Sequence, residues 1–112
     1  MKYALLIHED HVVYQDDAAW QDIIRRHRDF GAQHGAAIVG GEGLRGPDTA
    51  TTLRRKGEEA MVHDGPFAEA REQLGGFYLV EAASLDDAMA IARDIPLAGD
   101  GSIEIRPCIG EG

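Results

Sequence analysis

The chain has 112 residues, of which 20 are acidic and 11 basic, so its formal net charge at neutral pH is −9. This charge repels phosphate backbones and argues against nucleic-acid binding, and the single cysteine excludes an internal disulfide. No apolar run approaches the ~20 residues of a membrane helix, and the N-terminus is too short an apolar run for a signal peptide. We therefore expect one cytoplasmic domain spanning residues 1–112, with no membrane partner.

The first half of the chain predicts a strand, a long helix and a second strand. Residues 3–8 are apolar on both faces, as in a strand at the centre of a sheet. A helix of about 18 residues follows, capped by Asp16 or Asp17. Residues 36–40 form the second strand, and residues 41–48 form a glycine-rich connection. The inward stripe of the helix has the i, i+3, i+4, i+7 spacing and consists of Trp20, Ile23, Ile24, His27, Phe30, Gly31 and His34.

The second half predicts a hairpin, a strand, a helix and a closing strand. The hairpin pairs residues 51–55 with residues 60–63 and turns at Lys56-Gly57-Glu58. Residues 77–82 form an apolar core strand, and residues 102–106 form the last strand. Between these two strands, Ser84 caps a helix. The buried face of that helix consists of Leu85, Ala88, Met89, Ala92 and Ile95.

This order of elements predicts an α+β fold, namely a ferredoxin-like split βαβ sandwich with an inserted β-hairpin. The two helices cover only one face of the antiparallel sheet, yet three strands are apolar on both faces. Leaving the second face wet costs on the order of 25 cal/mol per Å². We therefore predict a homodimer in which the two open sheet faces pack together.

The stretch of residues 63–81 holds the densest set of chemically useful side chains. It begins with a sharp turn, in which an aspartate accepts backbone hydrogen bonds, a glycine tolerates positive φ and a proline fixes the next φ. Residues 69–73 are expected to form a single helical turn, closed by a glycine pair. This arrangement is predicted to hold three carboxylates near the mouth of a cleft: Asp64, Glu69 and Glu72.

The same stretch resembles the signature of the DGPF-domain proteins, a branch of the YCII-related superfamily. The resemblance implies a ferredoxin-like domain that pairs into a dimeric α+β barrel, with a cleft for a small molecule in some members. It rests on the segments Asp64-Gly65-Pro66-Phe67-Ala68-Glu69, Glu72-Gln73-Leu74-Gly75-Gly76-Phe77-Tyr78, Gly41-Glu42-Gly43-Leu44, Thr51-Thr52 and Ile103-Glu104-Ile105-Arg106-Pro107.

The resemblance also implies an acid–base pair, and the matching residues here are Asp64 of the motif and His27 of the first helix. A free imidazole titrates near ~6.5 and a free aspartate near ~3.9, so a histidine held by a carboxylate accepts protons at neutral pH. The alternatives are a core histidine bonded to a backbone carbonyl and a turn aspartate that caps N–H groups. Further ligand-binding residues are expected to be His8, Tyr78, Phe67 and Glu72.

Other polar clusters have simpler interpretations. Residues 8–11 read His-Glu-Asp-His, which fits no closed zinc pattern, so we expect a solvated loop rather than a metal site. Glu69 and Glu72 are interpreted as a solvated pair, and residues 54–56 as a solvated basic face. The glycines of residues 40–43 do not lead into a helix, so no dinucleotide fingerprint is present. We expect neither a metal nor a cofactor.

Two functions remain open from the sequence. One is an enzyme that binds a small molecule and performs cofactor-free acid–base chemistry of the lyase or isomerase type. The other is a non-catalytic dimeric regulatory or interaction module linked to transcription, because DGPF domains resemble parts of proteins associated with sigma factors. The relative placement of His27 and Asp64 is expected to separate them.

Overall fold

The computed structural model describes residues 1–110, which contain six strands and two helices in the order β-α-β, hairpin, β-α-β. This order is the one predicted from the sequence. Short 3-10 turns occupy His11–Gln15 and Pro47–Thr49. The helices are α1 (Asp17–His34) and α2 (Leu85–Arg93). The strands are β1 (Lys2–Glu9), β2 (Ile38–Gly43), β3 (Thr51–Lys56), β4 (Glu59–Asp64), β5 (Gln73–Glu81) and β6 (Gly101–Pro107).

Four of the strands form one antiparallel sheet in the order β2-β5-β1-β6, and the β3–β4 hairpin forms a separate two-stranded sheet. In the centre, Leu5 of β1 pairs with Tyr78 of β5 on one side and with Ile105 of β6 on the other. Each β-α-β unit is thus interrupted by a strand of the other unit, which is the split βαβ arrangement of ferredoxin-like folds. The central position of β1 agrees with its two apolar faces.

Side-chain caps fix where both helices begin. The Asp16 carboxylate accepts a hydrogen bond of 3.0 Å from the backbone N–H of Ala19. The Ser84 hydroxyl accepts a hydrogen bond of 3.2 Å from the backbone N–H of Asp87. Each cap satisfies one N–H group that lacks an intrahelical partner, so the predicted starts are confirmed. Neither helix in residues 1–110 is long and apolar enough to cross a membrane.

The core lies between the helices and one face of the sheet. Tyr3, Leu5 and Ile7 of β1 point toward the helices, and Leu5 is fully buried. Strand β5 contributes Val80, which is also fully buried. The remaining buried members of this cluster come from the helices and the segment after α2: Phe30, Ala88, Ile91, Ala92 and Ile95.

The other face of the sheet carries no helix. Side chains alternate along a strand, so the β1 residues between the core positions, such as Leu6, point to this second face. There Leu6 pairs with Phe77 of β5. The protomer is accordingly flat, with extents of 43 × 41 × 19 Å. Its radius of gyration of 15.6 Å exceeds the about 13 Å expected for a compact chain of this length.

Two predicted boundaries on the β5 side were wrong. Residues 69–73 do not form a helical turn, and β5 begins at Gln73. The Gln73 side-chain amide donates hydrogen bonds of 3.0 and 2.8 Å to the carbonyls of Ala68 and Ala70. These carbonyls are satisfied by a side chain, which competes with helical hydrogen bonding. The segment therefore remains irregular.

Strand β2 lies later in the chain than predicted. It runs over Ile38–Gly43 rather than over residues 36–40, so its second half falls in the segment predicted to be a glycine-rich connection. The glycines instead pair with β5, with Gly41 opposite Tyr78. Gly41 has φ of +146°, and a Cβ at this position would lie 2.5 Å from the carbonyl oxygen of Phe77. Glycine is required here by close backbone approach rather than by flexibility.

Candidate functional site

A cleft of about 1420 Å³ opens beside strands β2 and β5, on the β2 side of the sheet. Its lining includes residues of the N-terminal half of α1, residues 44–48 and the turn after β4. His27, Tyr78 and Asp64 all line this cleft. Three of the residues singled out from the sequence therefore share one cavity.

The predicted inward stripe of α1 divides into core and cleft positions. Ile23 and Phe30 are buried as predicted, whereas Trp20 is 44% exposed. Ile24 and His27 are half-buried and line the cleft together with Trp20. The helical spacing identified the face that points inward, but part of that face meets the open cavity rather than the sheet.

His27 and Tyr78 form a direct pair. The Nδ1 atom of His27 lies 2.7 Å from the Tyr78 hydroxyl oxygen, and the two rings stack with centroids 5.9 Å apart and an interplanar angle of 25°. The Phe30 ring supports the tyrosine from the core, with a centroid distance of 4.9 Å. The imidazole of His27 on α1 is therefore held in its orientation by Tyr78 on β5.

Burial keeps both members of the pair neutral. It lowers the pKa of His27 below the ordinary value, and the nearby charge of Arg26 lowers the pKa further. Burial also raises the pKa of the Tyr78 hydroxyl. With the ring proton on Nδ1, the imidazole donates to Tyr78 and Nε2 is a free acceptor; with the proton on Nε2, Tyr78 donates to Nδ1. Either tautomer offers one donor and one acceptor.

Asp64 reaches the same cleft without contacting His27. It ends β4, and within residues 1–110 its carboxylate forms no hydrogen bond with the imidazole or with a backbone N–H group. The turn that follows is held by other groups. The backbone N–H of Gly65 donates to the Ala50 carbonyl at 2.7 Å, and the Thr52 hydroxyl donates to the Gly65 carbonyl at 2.7 Å. The carboxylate is therefore not used as a cap.

Three other predicted ligand-binding residues lie outside the cleft. His8 is on the helix-free sheet face, where its Nε2 atom is 3.2 Å from the Glu104 carboxylate. Phe67 is 74% exposed after the turn. The carboxylate of Glu72 accepts a hydrogen bond of 3.0 Å from the Ser102 hydroxyl. Of the four predicted ligand-binding residues, Tyr78 is the one that lines this cavity.

One polar group on the cleft wall was missed at the end of β1. Glu9 was expected in a solvated loop, but only 7% of it is exposed, and its carboxylate accepts a hydrogen bond from the Tyr14 hydroxyl. Burial and the Glu9 charge raise the pKa of Tyr14. The signal was present in the alternation of β1, since Glu9 continues the inward series after Ile7.

The histidines and carboxylates at the end of β1 do not converge on a metal. His8 and Glu9 are consecutive in the strand and point to opposite faces of the sheet. Asp10 caps the 3-10 turn by accepting from the backbone N–H of Val12 at 3.1 Å, and it pairs with Arg71 at 3.2 Å. In the part of the chain that the structure describes, no three His, Cys, Asp or Glu side chains form a metal-binding group.

The split βαβ topology with a lateral cleft defines a small α+β protein of the ferredoxin-like class. The sequence pattern of the YCII-related domain matches residues 1–110. An uncharacterised protein of Rhizobium meliloti (strain 1021) is 41% identical over 118 residues, which cover 96% of this chain and 91% of that protein. The chain therefore belongs to the YCII-related family.

Proposed function

We propose that this YCII-related protein is a cytoplasmic homodimer that binds a small organic molecule in the cleft and catalyses cofactor-free proton transfer of the lyase or isomerase type. The observation that carries the proposal is the neutral His27–Tyr78 pair on the cleft wall. General acid–base catalysis needs a proton acceptor that is unprotonated at neutral pH. Burial of the imidazole supplies that condition.

The chemistry we propose is a reversible proton transfer at His27. With the ring proton on Nδ1 held toward Tyr78, the free Nε2 lone pair accepts a proton from a C–H or O–H acid of the ligand. The imidazolium formed is disfavoured by burial and by Arg26, so the proton returns readily to another ligand atom. Asp64 would neutralise positive charge that develops in the cleft. The cycle consumes no co-reactant.

The homodimer is supported by the helix-free sheet face. An apolar face left in water is unfavourable by about 25 cal/mol per Å². A flat protomer of one sheet and one helical layer places that face on its outside. In the proposed dimeric α+β barrel, a second copy covers it, as the resemblance to DGPF-domain proteins implies. Assignment to the DGPF branch within the family belongs to this proposal.

The second candidate is a non-catalytic interaction module of the kind linked to sigma-factor signalling. The observation that favours it is the β3–β4 hairpin, which exposes several large apolar side chains: Leu53, Met61 and Val62. A two-stranded sheet is only marginally stable alone, so exposed apolar groups on it are typical of a surface that binds another molecule. Under this proposal the hairpin, and not the cleft, carries the function.

Native purification followed by mass spectrometry of released small molecules tests the first candidate. The retained molecule is then incubated with the protein in D₂O, where a reversible proton transfer incorporates deuterium into it. The variant His27→Gln is expected to retain the ligand and lose the incorporation. His34→Gln serves as the matched control, because His34 is also on α1 but bonds to Asp94 away from the cleft.

Three results would contradict the enzyme. These are no retained molecule, incorporation that is unchanged in His27→Gln, or retention that is unchanged in Asp64→Ala. Asp64→Ala is expected to abolish retention while leaving the fold intact, since its carboxylate carries no structural hydrogen bond in residues 1–110. Loss of a protein partner after Val62→Ser, with no ligand retained, would support the interaction module instead.

A further inference from the structure

The carboxylate of Glu9 on the cleft wall is buried but only half satisfied. Glu9 is the only buried charged side chain in residues 1–110. Its Oε1 atom accepts a hydrogen bond from Tyr14, whereas its Oε2 atom has no hydrogen-bond partner among the described residues. A Cβ at position 75 would stand 3.5 Å from Oε2, so this oxygen lies close to the backbone of Gly75. Oε2 is not among the fully buried atoms that lack a partner, so it is accessible from the cleft and can accept a hydrogen bond from a ligand.

A second incomplete polar group lies beside it. The Nδ1 atom of His11 is buried and has no hydrogen-bond partner within residues 1–110, and no other buried side-chain nitrogen or oxygen described shares this state. The other ring nitrogen, Nε2, lies 2.8 Å from the same Gly75 Cβ position that is close to Glu9. Glu9 and His11 therefore both lie against Gly75 at this end of the cleft.

Aromatic rings and carboxylates line the end of the cleft that holds Glu9 and His11. Tyr14 packs edge-on against Trp20 with centroids 5.8 Å apart, and the histidine ring packs edge-on against Tyr14 at 6.1 Å. The cleft is lined by six carboxylates and two guanidinium groups, and one guanidinium, Arg71, is already paired with Asp10. Carboxylates attract a cation, and aromatic faces within about 6 Å stabilise it.

We propose that this end of the cleft, formed by Glu9, His11, Tyr14 and Trp20, binds the ammonium group of a small organic amine. An ammonium group carries three N–H donors, which suit the free Oε2 of Glu9 and the lone pair of His11. A metal ion is the poorer match, because residues 1–110 supply no three-ligand group. The inference rests on the proposed function in that it names the ligand class for the same cleft.

The sole tryptophan of the chain gives a direct measurement, because Trp20 lines the cleft. Trp20 emission is followed while the protein is titrated with benzylammonium, with neutral benzyl alcohol and with benzoate, up to about 10 mM, which detects even millimolar affinity. We expect a saturable change with benzylammonium alone. Benzoate should be repelled by the excess of carboxylates.

Glu9→Gln keeps the size of the side chain and removes its charge. It is expected to weaken benzylammonium binding by about tenfold or more, since a charge-assisted hydrogen bond in a buried position is lost. Glu58→Gln is the matched control, because it removes the same charge from the exposed hairpin turn, and it should change the affinity by less than about twofold. Circular dichroism verifies that both variants fold.

Three results would overturn the inference: no saturable response to benzylammonium, equal binding of benzyl alcohol or benzoate, or equal weakening by Glu9→Gln and Glu58→Gln. If Glu9→Gln does not fold, Trp20→Leu assayed by calorimetry provides the second test, with about threefold or greater weakening expected from the lost cation–π contact. None of these measurements involves deuterium incorporation. Failure of amine binding is thus distinguishable from failure of proton transfer at His27.

Discussion

The imidazole Nδ1 of His27 lies 2.7 Å from the hydroxyl oxygen of Tyr78, although the two residues are 51 positions apart. The contact joins the middle of α1 to the central region of β5 across the edge of the core. It replaces the His27–Asp64 pair expected from the family resemblance as the direct partner of the imidazole. Both partners also line the cleft, so the contact links the stability of the fold to any chemistry performed there.

The lowered pKa of His27 predicts a pH-dependent loss of stability. The unfolded chain has a histidine of ordinary pKa near ~6.5, whereas burial and Arg26 lower the pKa in the folded protein. Below ~6.5 the unfolded state therefore binds more protons, and the free energy of unfolding falls as the pH decreases toward the folded pKa. Above ~6.5 the contribution is fully present.

Urea unfolding at about pH 7.5 and about pH 5 measures this effect. We expect the difference in unfolding free energy between the two pH values to be smaller in His27→Gln than in the original protein. His34→Gln provides the matched control for a histidine on the same helix. A pH dependence that persists unchanged in His27→Gln would show that this imidazole is not the group responsible.

The hydrogen bond between Tyr14 and Glu9 predicts a stability cost for Tyr14→Phe. The substitution leaves a buried carboxylate without its donor, which should destabilise the protein by about 1–3 kcal/mol. Tyr3→Phe is the matched control, since the Tyr3 hydroxyl donates a hydrogen bond only to the sulfur of Met1, at 3.8 Å, in residues 1–110. Chemical unfolding of both variants checks the prediction, and equal losses would contradict it.

The same pair predicts an alkaline limit of stability. The pKa of Tyr14 is raised in the folded protein, so above the unfolded value of ~10 the folded state retains more protons than the unfolded state. Its contribution is complete below pH ~10 and falls as the pH rises beyond it. Absorbance titration of phenolate should show fewer tyrosines ionising near pH ~10 in the folded protein than after unfolding, and Tyr14→Phe should reduce that difference.

Much of the fold follows from local patterns in the sequence. The caps at Asp16 and Ser84 predict where the helices begin because an unpaired N–H group needs an acceptor. The hairpin is predicted by its turn, in which Gly57 adopts φ of +62°. The central place of β1 follows from its two apolar faces. These features are determined by residues that are close together in the sequence, so they can be predicted from local patterns.

The cleft depends on long-range packing and could be predicted only in part. Trp20 and Phe30 belong to one predicted helical stripe, yet Trp20 meets an open cavity and Phe30 is buried in the core. The Tyr78 partner of His27 arises from strand order, which periodicity does not specify. Glu9 was assigned to a loop because of its polar neighbours, although alternation along β1 placed it inward.

Gly41 offers a sharp test of the close contact between β2 and β5. An alanine Cβ at this position would approach the Phe77 carbonyl oxygen to 2.5 Å, and the φ of +146° is unfavourable for any side chain. We expect Gly41→Ala to lower the free energy of unfolding by about 1–3 kcal/mol. Gly43→Ala is the matched control two residues away, since nothing lies within 4 Å of its Cβ position. Thermal unfolding compares them, and similar losses would contradict this assignment.

The helix-free sheet face predicts the outcome of placing a charge on it. Leu79 pairs with Ala4 on β1, next to Leu6 and Phe77, which face the same side. In the proposed dimer, Leu79→Glu buries an unpaired carboxylate at the interface, which is strongly unfavourable. We therefore expect this variant to sediment as a monomer at concentrations where the original protein is a dimer. If the fold depends on pairing, the variant should also unfold at lower urea concentration as the protein is diluted.

Leu85→Glu distinguishes this effect from a general response to added charge. Leu85 is also a leucine but is more exposed, at 51%, than the half-buried Leu79, and it lies in the first turn of α2 on the other side of the sheet. A glutamate there also complements the positive end of the helix dipole, so the variant should remain dimeric and lose less than about 1 kcal/mol. Sedimentation of the three proteins at matched concentrations decides the matter. If the unsubstituted chain is a folded monomer, or if both variants remain dimeric, the sheet face is not the surface through which two copies pair.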